Sequence, residues 1–137
     1  MKKLIRKSSL LFSAGAFGGL INSLTVWLFG LWGINQMLGT SIAPELSPNW
    51  LYPRLIWGGL WGFAFLLLEI RKKRPSFLWS AFLISLAPTL VMLFVVFPLK
   101  AGKGYLGLQL GFMAPALVVF FNFIWAIATL WLFRYSR

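Results

Sequence analysis

The chain has 137 residues, of which 60% are hydrophobic and 11% charged, and its 13 Lys and Arg face only two acids, Glu45 and Glu69. A soluble domain usually carries about a quarter charged residues, so a chain this apolar cannot keep its surface out of water by folding alone. With no cysteine and no histidine, it cannot itself form disulfides, supply thiolate or imidazole metal ligands, or mount Cys- or His-based catalysis.

Four apolar stretches, each near the roughly 20 residues that cross a hydrocarbon core, take up nearly all of the chain. The expected fold is all-α: a polytopic membrane protein, a four-transmembrane-helix bundle with both termini cytoplasmic (N-in/C-in), and residues 1–137 as a single membrane domain. The opening Met1-Lys2-Lys3-Leu4-Ile5-Arg6-Lys7 and the small residues Ala14-Gly15-Ala16 have the outline of a secretory signal. The apolar run before that site is too short and continues past it, so a retained first helix is expected.

Span one is expected over residues 10–34. The polar, proline-containing stretch that follows makes an outer loop over 39–52, where Trp50 and Tyr52 suit an aromatic belt, as do Trp32, Trp79 and Tyr135 elsewhere. Span two is expected over 53–70, with Pro53 at the first helical position, where a missing N–H costs nothing. The run Arg71-Lys72-Lys73-Arg74-Pro75 stops it, giving an inner loop over 71–76. Span three is expected over 77–97, ending at Pro98, and an outer loop over 98–104 leads to span four over 105–133. Gly104, Gly107, Gly111 and Pro115 favour an irregular beginning to that last span.

Orientation follows from the cations. With the N-terminus inside, Lys2, Lys3, Arg6, Lys7, Arg71, Lys72, Lys73, Arg74, Arg134 and Arg137 lie on that side, against Arg54, Lys100 and Lys103 outside: ten against three of the 13. The positive-inside rule then sets the topology. Because the cations cluster at the ends of apolar runs rather than along one face, no nucleic-acid partner is expected; the partners expected are the lipid bilayer and other membrane subunits or further copies of the chain. The expected site is a bacterial cytoplasmic (inner) membrane.

Small residues recur at four-residue spacing: Gly15 and Gly19, continuing to Ser23; Gly58 and Gly62; and Gly107 and Gly111. Such spacing lets helix backbones approach closely, and spans one and two are expected to pack through theirs. Asn22 and Asn122 are the most deeply placed amides, roughly 17–18 Å in at 1.5 Å per residue, so each should face protein or a polar cavity, as an interhelical bond or a ligand contact. Gln109 and Thr25 are weaker polar candidates. Arg54 either snorkels to the headgroups or stands as a functional cation, with Glu45 a possible partner. Glu69 is placed to pair with Lys73 one turn on. Pro88 and Pro115 are candidate kinks. Among the deeper aromatics, Trp57, Trp61 and Phe120 to Phe123 could line a groove or face lipid.

No catalytic residue, metal or cofactor is expected. Span one lacks the embedded Glu by which small proton-coupled multidrug exporters are recognised, and span three lacks the Ser/Thr-rich break around Phe that marks fluoride channels. The reading placed first is a small non-catalytic accessory or assembly subunit. The alternative is a small-molecule or ion permeation protein, a small transporter or channel, and third comes a binder of lipid or a hydrophobic cofactor.

Overall fold

The computed structural model describes residues 1–69 and 75–136, and among these it is all-helical, with no strand. Four helices are long and apolar enough to cross a membrane: α1 (Lys2–Leu31), α2 (Pro48–Leu68), α3 (Phe77–Lys100) and α4 (Ala114–Tyr135). The expected Glu69–Lys73 pair, most of the inner loop and the stop at 71–74 lie outside the described residues.

Local chemistry sets the helix ends. α1 runs unbroken until Trp32 and then Gly33, whose φ of 77° turns the chain out of the helix into a single further turn, Ile34–Met37. A residue with a side chain adopts that left-handed backbone at a cost, and glycine does not. α2 starts earlier than the sequence suggests. Ser47 caps it by accepting the Trp50 backbone N–H at 3.3 Å, and Pro48 takes the first position. Pro53 therefore sits inside the helix, not at its start. Ser76 caps α3 in the same way, accepting from Trp79 N at 3.4 Å.

α3 also departs from expectation at its far end. It passes through Pro98 and continues to Lys100, with residues Met92–Lys100 in a wider π-type winding. A proline in an α-helix collides with the carbonyl four residues back and cannot donate to it; a wider turn relieves both demands, and π segments are rare features concentrated at functional sites. Before α4 the chain is irregular. Tyr105–Leu110 makes tight turns interrupted by Leu106 at φ 61° and Gly107 at φ 68°. Pro115 is the second residue of α4, where no helical hydrogen bond is lost, so it starts this helix and does not kink it.

The helices pack in the lateral order α2, α1, α4, α3: the extensive interfaces are α1 with α2, α1 with α4 and α3 with α4. Consecutive elements usually neighbour each other, yet α2 and α3 occupy the two outer positions and, among the described residues, share no extensive interface. The half of the bundle nearer the termini is filled by an apolar core of Leu11, Ala14, Phe65, Ala81, Ile84, Trp125, Ala126, Leu130 and Phe133. A smaller cluster, Val26, Leu117 and Phe121, fills the half nearer the loops.

Glycines set the spacing of α1 against its neighbours. A Cβ on Gly58 would stand 2.7 Å from the Gly15 carbonyl oxygen and 3.1 Å from Gly19 Cα; one on Gly62 would stand 3.2 Å from Gly15 Cα. On the other side of α1, a Cβ on Gly18 would meet Trp125 O at 2.7 Å and the Thr129 hydroxyl. Gly107 and Gly111 do not belong to a helix seam. They lie in the irregular connection, with Gly107 against the Phe97 ring and Gly111, at φ 145°, against the backbone of Gly39 and Thr40.

Candidate functional site

The close approach of α1 and α2 brings a charged residue onto a polar step. A Cβ on Gly19 would lie 2.8 Å from the Arg54 carbonyl oxygen, so the Arg54 backbone runs directly against α1. From there its side chain reaches one turn along α1. Nε donates to Ser23 Oγ at 2.8 Å, and Nη2 donates to Asn22 Oδ1 at 2.6 Å. The guanidinium also lies over the Trp50 ring, 4.7 Å from its centroid, a favourable placement for a cation.

Asn22 serves two helices from one side chain. Its oxygen accepts from Arg54, while Nδ2 donates to the Phe121 carbonyl of α4 at 2.6 Å. Buried amides are costly unless both ends are satisfied, and here both are. Asn122 does not bond Asn22. It donates from Nδ2 to Thr89 Oγ1 of α3 at 3.0 Å, and Thr89 donates onward to Ser85 O at 2.7 Å. Trp125 joins α4 to α1 through Nε1 donating to Gly15 O at 3.1 Å.

These residues form the floor of a groove of about 380 Å³ lying between α2 and α3. Gly19, Asn22, Asn122 and Trp125 line the floor; Pro53, Trp57 and Trp61 form the α2 wall; and Pro88, Val91, Met92, Val95 and Val96 form the α3 wall. Arg54 and Lys100 also face it, one from each wall. Because α2 and α3 share no extensive interface, the groove opens sideways, and Trp57, 57% exposed, stands at its mouth. Cavities of about 300–1,000 Å³ with apolar walls and a few convergent polar groups are the usual form of small-molecule sites.

The groove thus brings together Asn22, Asn122, Arg54, Pro88, Trp57 and Trp61. It leaves out others that the sequence marks. Gln109 is exposed in the irregular connection, with its side chain near Gly104, and Thr25 donates to Ile21 O of its own helix at 2.7 Å. Phe120 and Phe121 pack on Phe29, and Phe123 packs edge-on to Phe82, so the Phe cluster does not line the groove. Glu45 is exposed and makes no pair with Arg54, whose hydrogen-bond partners among the described residues are neutral. No group of three or more acids, histidines or cysteines that could hold a metal occurs among the described residues.

Sequence reasoning missed Ser23, Thr89, Trp125 and Lys100 as members of the site. Ser23 could have been found, because it adjoins Asn22 one turn beyond Gly19 on the same small-residue face. Lys100 could not, since its place depends on α3 continuing past Pro98. Comparison with protein-family models, with curated proteins and with solved structures returned no match.

Proposed function

We propose that this chain is a four-span membrane protein, with both termini cytoplasmic in a bacterial inner membrane, that binds an amphiphilic small molecule taken sideways from the lipid into the groove between α2 and α3. The observation that carries this reading is the groove itself: tryptophan and aliphatic walls, a hydrogen-bonded polar floor, and a mouth between two helices that share no extensive interface among the described residues. Its volume of about 380 Å³ is in the range of small-molecule sites. The role is non-catalytic, one of binding or handing on.

The reading is tested with a phospholipid carrying a photoactivatable group in its acyl chain. Labels concentrated on Trp57, Trp61 and Val95, and lost on Val95→Trp, are the expected result. Even labelling around all exposed apolar residues, such as Leu67 and Trp131, would overturn it.

An accessory or assembly subunit is the second reading, favoured by the exposed apolar side chains of Ile56 and Leu60 on α2 and Leu90 and Phe94 on α3. The glycines that motivated a partner seam in α1 and α2 are, however, already used within the chain. Copurification of a stoichiometric protein partner without any bound amphiphile would favour this second reading. Permeation has less support, because the packed core around Leu11, Phe65 and Trp125 fills the bundle between the groove and the termini.

A further inference from the structure

We propose that the groove's ligand is an oxyanion-headed amphiphile, its phosphate or carboxylate held by Arg54 with Lys100 opposite, and its chain laid along Trp57 and Trp61. This rests on the groove being a binding site for amphiphiles.

Charge balance is the first ground. Arg54 and Lys100 face the groove, and no carboxylate among the described residues lines it. An arginine sitting seven residues into an apolar helix, with neutral partners only, leaves a cation without a counter-ion where counter-ions are worth most. An anion from outside the chain supplies it.

Donor geometry is the second. Guanidinium offers five N–H groups in a fixed fork, and Arg54 commits one at Nε to Ser23 and one at Nη2 to Asn22. The remaining donors have no acceptor among the described residues. Ser23 is fully buried and Asn22 is tied to the Phe121 carbonyl, so the fork is held in place before a ligand arrives. A pre-positioned fork of this kind matches the paired oxygens of phosphate and carboxylate.

Placement is the third. Arg54 lies roughly 9 Å along α2 from its first residue, and Trp61 roughly 10 Å further. A headgroup at Arg54 is thus near the loop end, and its chain runs toward the apolar middle past two tryptophans. Lys100 supplies selectivity. A zwitterionic headgroup also carries phosphate, but its ammonium would meet Lys100 with no acid among the described lining residues to receive it, and such repulsion is how sites reject near neighbours.

The test uses the full chain in mild detergent, offered equimolar phosphatidylglycerol and phosphatidylcholine of identical chains, or oleate, with bound species counted by native mass spectrometry. Wild type should retain one anionic amphiphile over phosphatidylcholine severalfold or more, the discrimination coming from Lys100 because both phospholipids offer Arg54 a phosphate. Arg54→Gln should lower the retention of both phospholipids by about tenfold or more, the loss of a charge-assisted hydrogen bond to the phosphate they share. Lys100→Gln, at an exposed position that holds no helix pair together, should lose the preference for the anionic amphiphile while still retaining lipid, and keeps the test valid if Arg54→Gln misfolds. Preference for phosphatidylglycerol over oleate assigns a phosphate, and the reverse a carboxylate. If wild type holds both phospholipids alike while Val95→Trp excludes both, the groove stands and the headgroup assignment falls. If Val95→Trp retains as much as wild type, the groove itself is not the site. Inorganic phosphate at millimolar concentration should not displace the bound species; if it does, the chain contributes nothing and a free oxyanion is the ligand.

Discussion

The α1–α2 seam makes a prediction whose sign depends on what each new methyl would strike. In Gly15→Ala the added Cβ meets the Gly58 carbonyl oxygen and stands 3.0 Å from both Gly59 Cα and Gly62 Cα. All three are backbone atoms of a packed helix, and none can swing aside. Ordinary carbon contacts lie at about 3.5–4.0 Å, so the helices must separate by roughly 0.5–1 Å, which forfeits a quarter to a half of each contact's attraction. Overpacking of this kind costs about 1–3 kcal/mol, offset by the roughly 1 kcal/mol that alanine gains over glycine within a helix. The net expectation for Gly15→Ala is a loss of up to about 2 kcal/mol, read as a fall of up to about 8 °C in apparent melting temperature. Gly59→Ala is the control. The three atoms nearest its Cβ all belong to the Phe12 ring, at 2.7–2.9 Å, and a ring at the end of a side chain can move, so the helix-propensity gain leaves this variant within about 1 kcal/mol of wild type. The assay is the surviving monodisperse fraction on size exclusion after heating in mild detergent, at a fixed heating rate because the loss is irreversible. If Gly15→Ala survives to the same temperature as Gly59→Ala or above it, the seam is not what holds α2 against α1.

The two asparagines should differ sharply. Asn22→Leu removes the acceptor for Arg54 and the donor to Phe121 O together and should cost about 2–3 kcal/mol, whereas Asn122→Leu leaves Thr89 still bonded to Ser85 O and should cost less than about 1 kcal/mol; thermal survival of the two variants side by side decides it. Topology is open to direct measurement because the chain contains no cysteine. Single cysteines placed at Ser41 and Gly102 should react with an impermeant maleimide added to intact cells, and one at Lys3 should react only after the membrane is opened; the opposite pattern would invert the orientation.

Much of the fold was legible because a hydrocarbon solvent leaves a chain few options. Runs without charge longer than about 20 residues must bond their own backbone, so the four helices and their rough positions follow from where charges and prolines fall. The ends were harder. Pro53 reads as a helix start because that position wastes no N–H, but Ser47 followed by Pro48 is the stronger cap, and it lies in a stretch too polar to suggest a helix. Pro98 reads as a stop, and only the wider π winding lets α3 pass it. Within the site, Asn22, Asn122 and Arg54 stood out because polar groups are conspicuous in apolar sequence. Their partners did not. Which helix lies beside which is a tertiary fact, and the chain places its second and third spans at opposite edges of the bundle. Glu45 was a natural counter-ion on charge alone, and the backbone sends it to the surface.

The separation of α2 from α3 has a mechanical consequence. α1 packs on α2 and on α4, and α4 in turn packs on α3, so the two outer helices are joined through the two between them. A change of tilt in either outer helix would widen the front gap without disturbing the contact of α1 with α4. Under the proposed function, a guest entering from the side would meet Trp57 and Trp61 rather than a wall of packed helix, and its departure would require no unfolding.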